Sequence, residues 1–149
     1  MTLTGSCHCG AVKAVFETSK TPAELGVREC QCAFCRRHGA VNTSDPKGLF
    51  TVECGATDVE RYRFALRTAD FLICRHCGVY FGAVIGEGDA MYSTVNVAGL
   101  AMKDFLSLER KPIVYDAEDT GSRVDRRTTK WTPTRFTDPD LAASYFGPH

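Results

Sequence analysis

The sequence predicts a mainly β domain, mostly antiparallel, with little helix. Three observations predict it. Short apolar or alternating segments recur along the chain between glycine, proline and aspartate turns. Long stretches with helical periodicity are lacking. Seven of the eight cysteines fall into three tight groups, the kind of cross-link a small β domain uses to supplement a modest core.

Taken in order, Ala11 to Glu17 shows partial alternation and reads as a strand. Thr21-Pro22 marks a bend, and Val27 to Cys30 reads as a short strand leading into the second cysteine group. Ala33 to His38 reads as one helical turn closed by Gly39. Asp45-Pro46-Lys47-Gly48 is a turn signal. Strands are expected over Leu49–Glu53, Val59–Phe64, Phe71–Cys74, Val79–Ile85 and Met91–Val97, with Ala101–Leu108 ambiguous. Asp138-Pro139 supplies an N-cap and first-turn proline for a terminal helix over Asp140–Phe146.

The 149 residues, 44% of them apolar, suit a single domain over 1–149, with 99–149 as an extension of the same unit. Formal net charge is zero, which gives no global attraction to nucleic acid or an acidic membrane. No apolar run approaches the roughly 20 residues that span a bilayer. The start, Met1 to Cys7, has neither the basic nor the apolar region of a secretory signal. A cytoplasmic protein is the expectation.

The cysteine groups are Cys7-His8-Cys9, Cys30-Gln31-Cys32-Ala33-Phe34-Cys35 and Cys74-Arg75-His76-Cys77. C-x-C and C-x-x-C spacings let neighbouring thiolates grip one ion, whereas disulfides need no such regularity. A thioredoxin-like redox pair would explain one group and not the other two. Zinc takes four ligands in structural sites and three plus an exchangeable one in catalytic sites, so seven clustered thiols divide as four plus three. One division joins Cys7, Cys9, Cys74 and Cys77 and leaves Cys30, Cys32 and Cys35 as a trio. The rival joins Cys32 and Cys35 with Cys74 and Cys77 as a zinc ribbon. The first uses all seven and is preferred, but spacing does not exclude the second. Cys54 stands apart and reads as a small buried hydrophobe or a fourth ligand for the trio. His8 and His76 sit within ligand loops, and His38 lies close enough in sequence to approach the trio.

These motifs resemble the glutathione-dependent formaldehyde-activating enzyme family, which includes centromere protein V. The resemblance rests on Gly5-Ser-Cys7-His-Cys9-Gly-Ala-Val12, on Cys30-Gln-Cys32-Ala-Phe-Cys35-Arg36-Arg37, and on Phe71-Leu-Ile-Cys74-Arg-His-Cys77-Gly78. It covers about the first two-thirds of the chain. It implies an Mss4-like (β-tent) zinc fold, with a structural zinc on Cys7, Cys9, Cys74 and Cys77. It further implies a more labile zinc, linked to activity, on Cys30, Cys32 and Cys35. The segment after the trio is shorter than in members closest to formaldehyde activation, and the chain beyond Gly99 maps onto no motif.

The implied activity is that of a carbon–sulfur lyase joining glutathione or another small thiol to formaldehyde or a related aldehyde. A free thiol has a pKa near 8.5 and is mostly protonated at neutral pH, and zinc coordination deprotonates it. Glutathione carries two carboxylates, for which Arg36 and Arg37 beside the trio are the candidate partners. The alternative function is a non-catalytic zinc module, either a glutathione carrier or a protein-interaction domain. Arg123, Arg126, Arg127, Lys130 and Arg135 surround Trp131, but nearby acidic residues make a solvated mixed-charge face the expectation there rather than a nucleic-acid site.

Overall fold

The computed structural model describes residues 1–144. Eleven strands join into one sheet: β1 (Thr2–Ser6), β2 (Lys13–Glu17), β3 (Val27–Cys30), β4 (Asn42–Thr43), β5 (Leu49–Glu53), β6 (Val59–Tyr62), β7 (Asp70–Cys74), β8 (Tyr80–Glu87), β9 (Ala90–Asn96), β10 (Arg110–Ile113) and β11 (Thr132–Phe136). Four helices accompany them: α1 (Pro22–Leu25), α2 (Ala33–His38), α3 (Thr120–Lys130) and α4 (Pro139–Ala143). None is long and apolar enough to cross a membrane.

The sheet branches at β9. One edge of β9 pairs with β8, which continues through β7 to β6. Its other edge is shared by β4 at Val95 and Asn96 and by β11 at Tyr92 and Ser93. From β11 the sheet runs through β5 and β2 to β1, and from β4 through β3 to β10. Two contacts depart from the antiparallel expectation, since β10 runs parallel to β3 and β11 parallel to β5. Both partners lie in the last third of the chain. They arrive after long connections, the condition a parallel pair requires.

Burial divides into two clusters. The larger contains Val12, Phe16, Phe50, Leu72, Phe81 and Phe105, together with Cys7 and Cys74. The smaller contains Cys35, Phe71, Tyr80, Ala83, Ile85 and Trp131. Strand β8 serves both: Phe81 and Val84 enter the first, and Tyr80, Ala83 and Ile85 enter the second. A strand covered on both faces loses polar alternation, which is why Val79–Ile85 reads as a continuous apolar run. The register shift opposite Leu72 and Ile73 adds a bulge beside the third cysteine group.

Most expected elements occur with small shifts at their ends. Helix α2 spans Ala33–His38 and is closed by Gly39 in the left-handed conformation at φ 58°. Asp45 is buried at the head of its turn, with Thr18 Oγ1 donating to Asp45 Oδ2 at 2.6 Å. Ala101–Leu108 resolves into turns around a short 3-10 segment, Lys103–Phe105. The terminal helix begins as expected with the Asp138 side chain as cap. Tyr145 and Phe146, assigned to that helix from the sequence, lie outside the described residues. Strands β1, β4, β10 and β11 and helix α3 were not anticipated, and the bend expected at Thr21-Pro22 opens the short helix α1. The expected mixed-charge face around Trp131 is present in part: Asp125, Lys130 and Arg135 are exposed, but Arg127 and Trp131 are buried, 7% and 5% exposed.

Candidate metal centres and the adjoining cavity

Two loops of matching design carry the first and last cysteine pairs. In the first, the Cys7 amide donates to the Val12 carbonyl at 3.0 Å, and Gly10 N–H donates back to the Cys7 carbonyl at 3.2 Å. In the other, the Cys74 amide donates to the Val79 carbonyl and Gly78 N–H to the Cys74 carbonyl, both at 2.9 Å. Gly10 and Gly78 have φ of 83° and 78°. That left-handed backbone is strained for a residue with a Cβ and folds each loop back over its own cysteines. The Val12 amide also donates to Cys7 Sγ at 3.3 Å.

These loops bring Cys7, Cys9, Cys74 and Cys77 together, with all four sulfurs within 4.8 Å of one another. Cys7 Sγ to Cys9 Sγ and Cys9 Sγ to Cys74 Sγ are each 3.7 Å. That is far too long for a disulfide, at about 2.05 Å. It matches the edge of a tetrahedral zinc–thiolate site, where a Zn–S bond of about 2.3 Å sets sulfurs about 3.8 Å apart. The donor set therefore fits zinc. Of the two divisions the sequence left open, the grouping of Cys7 and Cys9 with Cys74 and Cys77 is the one formed. All eight cysteines are thiols.

The second group is Cys30, Cys32 and Cys35. Cys30 ends β3, held between β4 and β10. Cys32 caps α2, its sulfur accepting from the Cys35 amide at 3.3 Å. Cys35 is buried within the helix. The Cys30 and Cys35 thiols hold the Cys32 thiol far below its ordinary range, while the same crowding pushes Cys35 up. Three sulfurs packed so closely share negative charge poorly without a cation, and a soft dication suits them.

Phe34 fixes α2 by inserting among aromatic rings, with centroids 5.0 Å from Phe71, 5.0 Å from Tyr80 and 5.1 Å from Phe64. The His38 ring lies 4.5 Å from Phe34, tilted at 42°, and does not line the cavity described below. His76 pairs with Asp58 at 2.7 Å. Cys54 belongs to neither group. It is half-buried against the larger core, and burial pushes its thiol up to about 11.

The trio opens on a cavity of about 140 Å³. Its apolar wall includes Phe64, Phe71, Tyr80 and Trp131. Its arginines are Arg28, Arg123, Arg126 and Arg127. Arg36 and Arg37 are exposed on α2 outside this wall, and Arg37 Nη1 turns back to the Ala33 carbonyl. Sequence reasoning missed the cavity arginines as a set. Only α3, which packs against β8 and β9, carries three of them to the trio.

The family model for the glutathione-dependent formaldehyde-activating enzyme matches residues 2–114. A crystal structure of a Rhodobacter sphaeroides protein is similar at 26% identity, covering 91% of this chain and 100% of that chain, with a TM-score of 0.52.

Proposed function

The chain belongs to the glutathione-dependent formaldehyde-activating enzyme family, and from that premise we propose that it joins a small thiol, glutathione in the first instance, to formaldehyde or a related aldehyde. The observation that carries this reading is the convergence of Cys30, Cys32 and Cys35 on the wall of a cavity, one ligand short of the four that a structural zinc site uses. The reaction forms one S–C bond. The carbonyl π pair takes up the proton that the thiol gives, and the product is a hydroxymethyl thioether with no co-reactant required. Read backward, it is a carbon–sulfur lyase step.

The trio would hold the zinc, and the chemistry zinc would supply when bound is activation of the incoming thiol as its thiolate. The protein shapes the rest. Phe64, Phe71 and Trp131 give the reacting centre an apolar wall. Tyr80 Oη is buried with no hydrogen-bond partner among the described residues, and burial raises its pKa well above the ordinary phenol range. It therefore keeps its proton and can donate to the aldehyde oxygen as charge gathers there. Arg36 and Arg37 stand outside the cavity as outer contacts for the ends of a long thiol such as glutathione. Replacing both by alanine is expected to raise KM for glutathione with little change in kcat.

The deciding experiment measures formaldehyde consumption with glutathione against the spontaneous rate, in protein of known zinc content. Acceleration that Cys32→Ser abolishes in a folded protein supports the enzyme. Glutathione binding without acceleration supports the carrier.

A further inference from the structure

We infer that the cavity beside the trio is a carboxylate-binding site, so that one of the two reactants is a small acid whose carboxylate is received by Arg127 and Arg28. The inference rests on the thiol–aldehyde reading for which reactants enter.

Arg127 is 7% exposed. Its Nη1 donates to Thr68 Oγ1 at 2.6 Å and its guanidinium lies 4.7 Å from the Trp131 ring. Arg28 donates to Ser44 Oγ at 2.9 Å and Thr94 Oγ1 at 3.4 Å. Neither has a carboxylate partner among the described residues. A guanidinium taken out of water without an anion is costly. Burial lowers the Arg127 pKa to about 10, which still leaves it charged at neutral pH.

Nearby acids do not meet this demand. Glu118 is committed to Arg123 and Arg126, at 3.1 and 2.6 Å. Asp116 is exposed at the cavity wall. Four guanidiniums thus face two carboxylates, and three thiolates around a dication add one negative charge. Positive charge remains in excess.

Unfilled hydrogen-bonding capacity is concentrated in the same place. Four buried side-chain polar atoms lack partners among the described residues, and three of them, Arg127 Nε, Tyr80 Oη and Asn42 Oδ1, belong to residues lining this cavity. Such atoms are costly unless something fills them. Two are donors, as a carboxylate or carbonyl oxygen requires. A cavity of about 140 Å³ holds on the order of ten water positions, the scale of a compact acid. Helix α3, which brings Arg127, begins beyond the stretch matched by the family model. The anion site is therefore built partly by this chain's own extension.

The test uses zinc-loaded full-length protein and isothermal titration calorimetry with matched pairs. The thiol pair is 3-mercaptopropionate and 3-mercaptopropionamide; the aldehyde pair is glyoxylate and glycolaldehyde. At least a tenfold preference for the acid is expected in one pair, and the pair that shows it identifies which reactant carries the carboxylate. Arg127→Met is expected to bring that ratio near one with zinc content unchanged. Arg28→Met should reduce it independently, and serves if the Arg127 variant does not fold. Equal binding of acid and neutral partner by the wild-type protein in both pairs overturns the inference, whatever the variants do. A preference that persists while no thiol–aldehyde adduct forms faster than spontaneously would overturn the proposed reaction and leave the anion site standing.

Discussion

Asn96 is a single side chain on which both cysteine sites depend. It is 1% exposed at the end of β9. Its Oδ1 accepts from the Val41 amide at 3.0 Å, just beyond α2 and the trio. Its Nδ2 donates to the Tyr80 carbonyl at 2.8 Å, just beyond the Cys74–Cys77 loop. Asn96→Ala leaves one buried N–H and one buried carbonyl unpaired. At about 1–3 kcal/mol for each orphaned group, the loss is about 2–6 kcal/mol, a large part of the 5–15 kcal/mol typical of a domain. Urea denaturation at fixed zinc saturation reads this directly. With a slope of about 2 kcal/mol per molar, the midpoint should fall by about 1–3 M. Asn96→Asp keeps the acceptor but turns a buried carboxylate toward the Tyr80 carbonyl, and at neutral pH should lose at least as much as alanine. A midpoint shift under about 0.3 M for the alanine variant would refute the reasoning, since it would mean that water or backbone movement satisfies both groups.

Other outcomes follow from the same structure. Two zinc ions per chain are expected by elemental analysis; Cys32→Ser should retain one and stay folded, while Cys74→Ser should lose the cooperative thermal transition. Tyr80→Phe removes an orphaned hydroxyl, so its Tm should hold or rise while kcat falls by about 100-fold; a fall in Tm with unchanged kcat would remove Tyr80 from the proposed chemistry. Arg126 first, and Arg123 with it, hold the Glu118 carboxyl below the usual carboxylate range. A depressed folded pKa gives stability present above the unfolded value of about 4.3 and lost as pH falls through the folded one. Amide exchange in α3 should therefore accelerate selectively below about pH 4, and Glu118→Gln should abolish that dependence. Gly5→Ala would place a Cβ 2.3 Å from the Leu100 carbonyl oxygen, so β1 must shift and Tm should drop by several degrees.

The two cysteine groups were legible because C-x-C and C-x-x-C spacing brings neighbouring sulfurs together, and the family resemblance paired the groups. Leu49–Glu53 and Val27–Cys30 were legible because turns or cysteines bound them on both sides. Helix α3 was not. Its sequence, Thr-Gly-Ser-Arg-Val-Asp-Arg-Arg-Thr-Thr-Lys, has one apolar side chain, Val124, and the residue it buries most is Arg127. A helix that packs through a guanidinium leaves no apolar stripe to detect. Its one local signal was the cap, where Asp119 accepts from the Ser122 amide at 2.8 Å. Strand β10 was hidden by Pro112, tolerable there because the strand lies at the sheet's end. The cavity stayed invisible for a related reason: Arg28 and Arg127 are ninety-nine positions apart, and no local pattern announces that they share a wall.

The separation of the two buried clusters bears on how such a protein can diverge. Cys7 and Cys74 are embedded in the larger cluster, and Cys35 in the smaller, beside surfaces contributed by α3. Replacing a side chain on α3 therefore alters what the small chamber admits without disturbing the quartet that secures the polypeptide. A lineage descended from this scaffold can reshape that chamber through a few exchanges on one short helix, while both groups of sulfurs are inherited intact.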